Sequence, residues 1–209
     1  MNDLIDSGKF ITFEGIDGSG KTSQSELLVD YLEQKSISAK MVREPGGDSI
    51  SESIRKLLLH SDEKMSDRTE ALLMVASRAQ LTDKVILPLL IDGKWVVADR
   101  YADSTIAYQG GGRGLNPNEL DQINYFGTYT LVPDLTFYLD LPVDIANKRM
   151  SVSRDRIERE GENFQQRVRD MYLSLCEKHQ DRFVLLDGSL KKEEIHSKVC
   201  QIINERFLK

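Results

Sequence analysis

The sequence predicts an α/β fold in which a five-stranded parallel sheet carries helices on both faces. Short runs rich in β-branched and aromatic residues alternate with longer helical patterns along the 209 residues, and this alternation is typical of a doubly wound parallel sheet. One run, 95–98 (Trp-Val-Val-Ala), is apolar throughout, as a central parallel strand requires. A glycine-rich turn at 15–22 joins an apolar strand to a helical pattern. These three observations define the expected architecture.

The predicted elements follow from where each pattern starts and stops. The strands are expected at 9–14, 38–43, 94–99, 134–140 and 182–187. The helices are expected at 20–35, 48–59, 66–91, 103–109, 116–128, 142–150, 161–181 and 191–207. Glycine-bearing loops are expected at 44–48 and 109–114, next to the crevice at the carboxyl ends of the strands. No linker or repeat divides the chain, so we expect a single domain, 1–209.

Composition excludes several classes of function. The net charge is −6, from 28 basic and 34 acidic residues, which argues against a nucleic-acid partner. Cys176 and Cys200 lack metal-ligand spacing and suit a reducing cytoplasm. The polar N-terminus predicts no secretory signal, and the longest apolar run, 85–91, is too short to cross a membrane. We therefore expect a soluble, cytoplasmic protein with no membrane partner.

The glycine-rich turn matches the phosphate-loop pattern G-x-x-x-x-G-K-[ST], and it has the strand before and the helix after that the pattern needs. Its glycines let backbone N–H groups turn inward around phosphate oxygens. Lys21 can reach the terminal phosphates, and the Thr22 hydroxyl can ligate Mg²⁺. The pattern predicts the P-loop NTPase fold; a glycine-rich turn without a ligand is the alternative. The predicted triphosphate-binding residues are Gly15, Ile16, Asp17, Gly18, Ser19, Gly20, Lys21 and Thr22.

The third predicted strand ends in Asp99 and Arg100. An acid at this place is where P-loop proteins hold the carboxylate that organises Mg²⁺; the alternative is an acid that caps the next helix. Arg100 would bring a planar, two-armed cation close to the transferring phosphates, unless it forms only a surface salt bridge.

Glu70, Met74 and Arg78 are spaced i, i+4, i+8 in the helix predicted at 66–91, so they share one face. An apolar residue between two charges is unusual for a solvated face. It suits a pocket in which Met74 packs against a flat apolar group and Arg78 meets an anion. The alternative is an exposed charge ladder.

The segment 149–163 is dense in charge and poor in large apolar residues. It carries Arg154, Arg156 and Arg159 with Asp155 and Glu158. Arginines on such a segment could close over a triphosphate and neutralise developing charge, so we expect a short lid here. A solvated helix face is the alternative.

Other chemistries lack their motifs. There is no Asn-Lys-x-Asp, so guanine selection of the small-GTPase kind is unsupported, and the cysteines and histidines are too scattered for a zinc site. His60, His179 and His196 lie in separate helical segments and are expected at the surface.

Several longer segments extend the phosphate loop into a more specific pattern. They are 13–22 (Phe-Glu-Gly-Ile-Asp-Gly-Ser-Gly-Lys-Thr), 43–47 (Arg-Glu-Pro-Gly-Gly), 99–105 (Asp-Arg-Tyr-Ala-Asp-Ser-Thr), 107–115 (Ala-Tyr-Gln-Gly-Gly-Gly-Arg-Gly-Leu) and 155–158 (Asp-Arg-Ile-Glu). With them the chain resembles the thymidylate kinase family nearly end to end. The resemblance implies ATP-dependent, Mg²⁺-requiring phosphorylation of dTMP to dTDP for dTTP biosynthesis. It also implies a homodimer formed through helices that flank the sheet, with 66–91 as a candidate.

The resemblance also implies roles for individual residues. Asp17 would hold the deoxyribose 3′-hydroxyl, Arg78 and Arg100 the acceptor phosphate, and Arg78 also the base. The implied dTMP-binding residues are Asp17, Arg43, Pro45, Arg55, Met74, Arg78, Arg100, Thr105, Tyr108 and Gln109. The implied catalytic residues are Lys21, Arg100, Asp17, Arg154, Arg156 and Glu158, with Thr22 and Asp99 at the metal. Gly18 is uncharged, so the chain resembles the bacterial subgroup, which keeps its catalytic arginines on the lid.

The chain departs from the family pattern at two positions. Met74 stands where the family usually has a Phe that stacks on thymine, and a thioether packs there with softer geometry. Asp48 follows the two glycines where Thr is usual; it places an acid near a dianionic substrate or caps the next helix. A kinase for another acceptor and a P-loop switch that hydrolyses slowly remain the rival functions.

Overall fold

Five parallel strands form one sheet in the computed structural model, which describes residues 8–61, 63–150 and 155–208. The strands are β1 (Phe10–Glu14), β2 (Ala39–Arg43), β3 (Trp95–Asp99), β4 (Leu135–Asp140) and β5 (Phe183–Asp187). Their order across the sheet is β2-β3-β1-β4-β5, and every neighbouring pair is parallel. The predicted strands and the parallel α/β fold are therefore confirmed.

Helices follow the strands as the patterns predict. They are α1 (Lys21–Gln34), α2 (Ser49–His60), α3 (Asp67–Leu81), α4 (Leu87–Ile91), α5 (Ala102–Thr105), α6 (Pro117–Gly127), α7 (Val143–Arg149), α8 (Glu162–Lys178) and α9 (Lys192–Phe207). The helix expected at 66–91 is present, but a π-helical turn, Thr82–Ile86, separates α3 from α4. None of the helices in the described ranges is long and apolar enough to cross a membrane.

The loop expected at 109–114 is wrong over 109–112, because a second π-helical segment, Ile106–Gly112, continues from α5. Its glycines serve close packing against α8. A Cβ on Gly111 would lie 2.7 Å from Met171 Cβ, and one on Gly112 would lie 2.5 Å from the Phe164 ring. Glycines whose pattern suggests a turn therefore form a surface against which α8 packs closely.

Side chains alternate between the two faces of the sheet along β1, so that the strand contributes to the hydrophobic core on each face. Ile11 and Phe13 face α1 and α9, where they pack with Leu28 and Val199. Phe10 points to the opposite face, toward the helices that follow α2. Because both faces of the central strands β1 and β3 are buried, these two strands are apolar nearly throughout, whereas the edge strands β2 and β5 are partly exposed.

Candidate active site

A cleft of about 490 Å³ opens at the carboxyl ends of β1, β2 and β3, the place where open parallel sheets bind ligands. Most of the residues singled out from the sequence line it: Asp17, Gly18, Gly20, Lys21, Thr22, Arg43, Pro45, Arg55, Met74, Arg78, Asp99, Arg100, Thr105, Tyr108, Gln109 and Glu158. Gly15, Ile16 and Ser19 form the loop behind this lining, and Arg154 lies outside the described residues. The fold thus brings the expected donor and acceptor residues together.

The phosphate loop has the backbone geometry that its glycines allow. Gly18 and Gly20 have φ values of 81° and 96°, in the left-handed region that favours glycine. A Cβ on Gly18 would also lie 2.8 Å from the Ala146 carbonyl oxygen. Gly20 precedes α1, and no side chain caps the first turn of that helix. The N–H groups of this turn are therefore available to a phosphate.

Lys21 is buried at the base of the loop, where its Nζ donates to the Ile16 carbonyl at 3.0 Å and lies 3.9 Å from Asp17 Oδ1. Burial and the nearby Arg100 guanidinium lower the pKa of Lys21 to about 8, although Asp17 and Asp99 oppose the shift. The ammonium is therefore charged at neutral pH but close to its titration range.

Thr22 and Asp99 meet at the start of α1. The Thr22 hydroxyl donates to Asp99 Oδ2 at 2.5 Å, across a sequence separation of 77 residues. A hydroxyl and a carboxylate beside a phosphate loop are hard oxygen donors, and Mg²⁺ is commonly held by one or two such groups together with substrate phosphates. The two residues therefore fit a magnesium ion.

Asp17, Arg100 and Tyr108 form a connected group in the middle of the cleft. Arg100 Nη2 donates to Asp17 Oδ1 at 2.6 Å and to the Tyr108 hydroxyl at 2.9 Å, and that hydroxyl donates to Asp17 Oδ2 at 3.1 Å. Burial raises the pKa of Asp17, but the charges of Arg100 and Lys21 outweigh it and bring the pKa to about 2. Asp17 is thus an anion held in place by two cations.

Arg100 has a backbone φ of 74°, which is uncommon outside glycine. The backbone is fixed by a hydrogen bond from Arg100 N to Phe13 O at 3.0 Å, and the side chain by Nη1 donating to Gly15 O at 2.9 Å. Backbone strain of this kind persists where surrounding contacts over-determine it, which is common at functional sites. The strand end therefore aims the guanidinium into the cleft.

Arg78 is only 2% exposed, so the alternative of an exposed charge ladder on α3 is wrong. Its Nε donates to Glu44 Oε2 at 2.7 Å and its Nη2 to Tyr101 O at 3.0 Å. Its Nη1 donates to Thr105 Oγ1 at 2.8 Å and to Asn124 Oδ1 at 2.7 Å. These bonds use four of the five N–H groups of a guanidinium and leave one, on Nη2.

The rim of the cleft carries two further arginines. Arg55 Nη1 donates to the Pro45 carbonyl at 2.7 Å, and the more exposed Arg43 pairs with Glu52 at 3.0 Å. Burial and the neighbouring charge of Arg43 lower the pKa of Arg55. Two cations this close raise the positive potential that an anionic ligand meets at the entrance.

Asp48 caps α2, as one of the two alternatives predicts. Its Oδ1 accepts from Ile50 N at 2.7 Å and from Ser51 N at 3.0 Å. The carboxylate satisfies the N–H groups of the first turn of that helix.

Comparisons with known proteins find a matching family model and similar proteins along nearly the whole chain. The family model described as Thymidylate kinase matches residues 13–199. A thymidylate kinase of Fervidobacterium nodosum is 47% identical over 196 residues, covering 93% of this chain and 98% of the relative. One of Nitrosomonas europaea is 44% identical over 200 residues, covering 95% and 93%. The crystal structure of thymidylate kinase from Ehrlichia chaffeensis has a TM-score of 0.78 at 34% identity, covering 94% of this chain and 99% of that one.

The chain belongs to the thymidylate kinase family. Membership confirms the resemblance drawn from the sequence motifs, together with the P-loop kinase fold. It also confirms the expected enzyme class, a kinase of nucleotide biosynthesis that phosphorylates dTMP to dTDP with ATP.

The segment 155–160, part of the lid that the sequence predicts, packs against α2 beside the cleft. Asp155 Oδ1 accepts from Ile157 N at 2.8 Å and from Glu158 N at 2.9 Å, which folds 155–160 into turns. Arg156 Nε donates to Leu58 O at 2.8 Å, and Ile157 is buried. A solvated helix face is therefore wrong for this stretch.

Sequence reasoning missed several partners that the family site depends on. Glu44 and Asn124 hold Arg78, and Arg113 holds Glu70. Glu44 and Arg113 lie in the segments 43–47 and 107–115 that carry the family resemblance, which by themselves assign these two residues no role, and nothing in the local pattern marks Asn124. A second cleft of about 380 Å³ adjoins the phosphate loop and shares Gly20 and Ser23 with the first. It is lined by Arg149, which follows β4, and by residues 189–192, which follow β5. The rule that ligands bind beyond the carboxyl ends of parallel strands points to both segments.

Proposed function

We propose that the main cleft binds ATP and dTMP together and transfers the γ-phosphoryl group between them. One observation carries the proposal: the phosphate loop and the acceptor residues line the same cleft, and the Asp17–Arg100 ion pair joins them. In phosphoryl transfer the protein contributes chiefly positioning and charge neutralisation. A cleft whose middle holds fixed cations and an oriented carboxylate serves both tasks.

The donor half holds the ATP phosphates. Lys21 and the uncapped N–H groups at the start of α1 neutralise and orient them, while the second cleft beside Arg149 accommodates the nucleoside. Thr22 and Asp99 are the residues that would hold Mg²⁺. A bound Mg²⁺ would offset the negative charge of the phosphates.

The acceptor half holds dTMP. Arg100 Nε makes no hydrogen bond to any described residue and is available to the acceptor phosphate, with the remaining N–H of Arg78 and the rim residues Arg43 and Arg55 beside it. Asp17, which is ionised at neutral pH, accepts from the sugar 3′-hydroxyl. Pro45, Met74, Thr105 and Gln109 enclose the base, and Tyr108 lies beside the sugar.

The lid supplies charge to the migrating phosphoryl group. We assign this role to Arg154 and Arg156, with Glu158 facing the cleft from the same segment. Arg156 lies outside the cleft lining, on Leu58 O and Glu70, so the assignment requires it to leave these contacts when the substrates bind. The lid belongs to a single kinase domain, 1–209. Cys176 and Cys200 are free thiols, which supports a reducing cytoplasm as the location.

A homodimer accounts for the apolar surface of α3 and α6. These helices pack together where a Cβ on Gly127 would lie 2.5 Å from Val75 Cγ1. Both leave large apolar side chains in solvent: Leu72 is 58% exposed and Phe126 is 85% exposed. Exposed apolar patches of this kind mark protein interfaces, and a second copy of the chain is the partner that the family resemblance indicates.

A coupled assay with ATP and a panel of nucleoside monophosphates tests the proposed reaction. We expect dTMP to have the highest kcat/KM and dTDP to be the product. Faster turnover of dUMP or dGMP would assign another acceptor. ATP hydrolysis that is independent of any acceptor and yields no phosphorylated nucleotide would favour a P-loop switch instead.

A further inference from the structure

Glu70 of α3 is the centre of a buried hydrogen-bond cluster on the acceptor side of the cleft. It is 1% exposed, and its Oε1 accepts from Gln109 Nε2 at 2.9 Å and from Arg113 Nε at 3.1 Å. Its Oε2 accepts from Arg113 Nη2 at 3.0 Å and lies 2.7 Å from Arg156 Nη2. One carboxylate therefore contacts a residue that lines the cleft and a residue of the lid.

The cluster keeps Glu70 ionised. Burial raises the pKa of Glu70, but the hydrogen bonds from Arg113 and Gln109 outweigh it and hold the pKa below its usual range. An ionised carboxylate has no proton to donate, so it can only accept. Gln109 must therefore turn its amide NH₂ toward Glu70.

This orientation leaves the other end of the Gln109 amide for the cleft. No described residue donates to Gln109 Oε1, and Gln109 is only 1% exposed although it lines the cleft. A carbonyl oxygen that faces the cleft and has no protein donor is free to accept from a ligand that brings one. The wall of the cleft thus presents a hydrogen-bond acceptor, the Gln109 side-chain oxygen, and the charge of Glu70 behind it fixes the orientation of that amide.

We propose that Glu70 is a positioning residue that selects the acceptor base by fixing the Gln109 amide with its oxygen toward the cleft. The inference rests on the proposed binding of a thymidine monophosphate at this wall. Thymine and uracil carry an N–H at ring position 3, whereas cytosine carries a lone pair there. The Gln109 oxygen accepts from the first two bases and faces an unpaired acceptor in the third.

Glu70→Gln tests the inference because it should reverse the amide. The variant side chain has a single oxygen. Two guanidinium nitrogens, one from Arg113 and one from Arg156, lie at the Oε2 position, whereas the Oε1 position has one guanidinium nitrogen, from Arg113, beside the Gln109 amide, which can turn over. The new oxygen therefore takes the Oε2 position and the new NH₂ faces Gln109. Gln109 then turns its own oxygen inward and its NH₂ toward the cleft.

The readout is the ratio of the inhibition constants of dCMP and dUMP against dTMP phosphorylation. In the unmodified enzyme dUMP should inhibit at lower concentration than dCMP. In Glu70→Gln we expect this preference to shift toward dCMP by about tenfold or more. The Gln109 NH₂ then donates to the ring nitrogen of cytosine, and it meets the N–H of uracil with no hydrogen bond. A change that only destabilised the fold would weaken both nucleotides alike and leave the ratio unchanged.

Two further variants separate positioning from structure. Glu160→Gln removes a partner of Arg113 that does not touch Gln109, so its inhibition ratio should equal that of the unmodified enzyme. Glu70→Ala removes the acceptor altogether, lets the Gln109 amide turn freely, and should reduce the preference without reversing it.

The outcomes are distinct. If the unmodified enzyme phosphorylates dTMP and Glu70→Gln keeps the original dUMP-to-dCMP ratio, the role of Glu70 is overturned while the proposed function stands. If the unmodified enzyme does not phosphorylate dTMP, both the proposed function and the inference built on it fall. A thermal unfolding curve for each variant shows whether it is folded at the assay temperature.

Discussion

Arg100 Nη2 donates to Asp17 Oδ1 at 2.6 Å across 83 residues of sequence, and this contact ties the end of β3 to the interior of the phosphate loop. The same guanidinium donates to the Gly15 carbonyl in that loop. Under the proposed function, the residue that faces the acceptor phosphate is thus fixed to the residues that surround the donor phosphates. We therefore expect the alignment of the two substrates to depend on this pair.

Arg100→Lys should lower turnover by about a thousandfold, because an ammonium cannot make the two-armed contacts of the guanidinium to Gly15 and Asp17. Arg206→Lys is the matched control, since Arg206 is exposed on α9, lies outside the cleft lining and donates only to the Asp181 carbonyl among the described residues. We expect it to change turnover by less than about tenfold. Steady-state kinetics with dTMP and ATP measure both, and a fully active Arg100→Lys would contradict the role of Arg100.

The low pKa of Lys21, about 8, predicts an alkaline limit to donor binding. The ammonium is charged below that pH and loses its proton above it, so kcat/KM for ATP should be level near neutrality and fall as pH rises past about 8. Bound phosphates favour the ammonium, so the fall in kcat should occur at a higher pH. A kcat/KM profile that stays level well above pH 9 would show that Lys21 does not titrate in this range.

Thr22→Ala should raise the Mg²⁺ concentration needed for half-maximal activity by about tenfold, because it removes the hydroxyl that lies beside Asp99. Thr22→Ser keeps a hydroxyl at the same place and should need nearly the original concentration. Activity is measured against Mg²⁺ at a fixed ATP concentration. Equal requirements in the two variants would exclude the hydroxyl as a ligand.

Arg78→Met should lower the free energy of unfolding by about 3–5 kcal/mol, because it leaves the buried Glu44 carboxylate without its cation. Burial already raises the pKa of Glu44 to about 7 against the opposing charge of Arg78. Loss of Arg78 raises it further, so the neutral acid is tolerated at low pH and the destabilisation should be larger at pH 8 than at pH 6.

Chemical denaturation at the two pH values measures this effect. Glu44→Gln combined with Arg78→Met should recover part of the lost free energy of unfolding, since neither member of the pair then carries a buried charge. A single variant as stable as the unmodified protein would show that the pair contributes little to the fold.

Phe126→Glu should convert the proposed dimer to a monomer at micromolar concentration, because it places a charge in the centre of the apolar surface of α6. Leu57→Glu is the control: Leu57 is 56% exposed on α2 and lies outside that surface. Sedimentation velocity distinguishes the two states. An unmodified protein that sediments only as a monomer would remove the dimer.

Much of the fold could be predicted because its signals are local. The apolar run of β3 and the loop at 15–22 depend on residues within a few positions of one another, and the structure places both as expected. The glycines at 110–112 mislead for the same reason. Their local pattern suggests a turn, but the surface that requires Gly111 and Gly112 belongs to α8, more than fifty residues along the chain.

The sequence by itself determined the sheet, the phosphate loop and the face that Glu70, Met74 and Arg78 share on α3. Only the tertiary structure decided that the two charges on that face are buried, because burying a charge requires counter-charges that other elements bring. Glu44 reaches Arg78 from the end of β2, and Arg113 reaches Glu70 from beyond the second π-helical segment. No spacing along the chain encodes which distant side chains will meet, since that depends on how the elements pack.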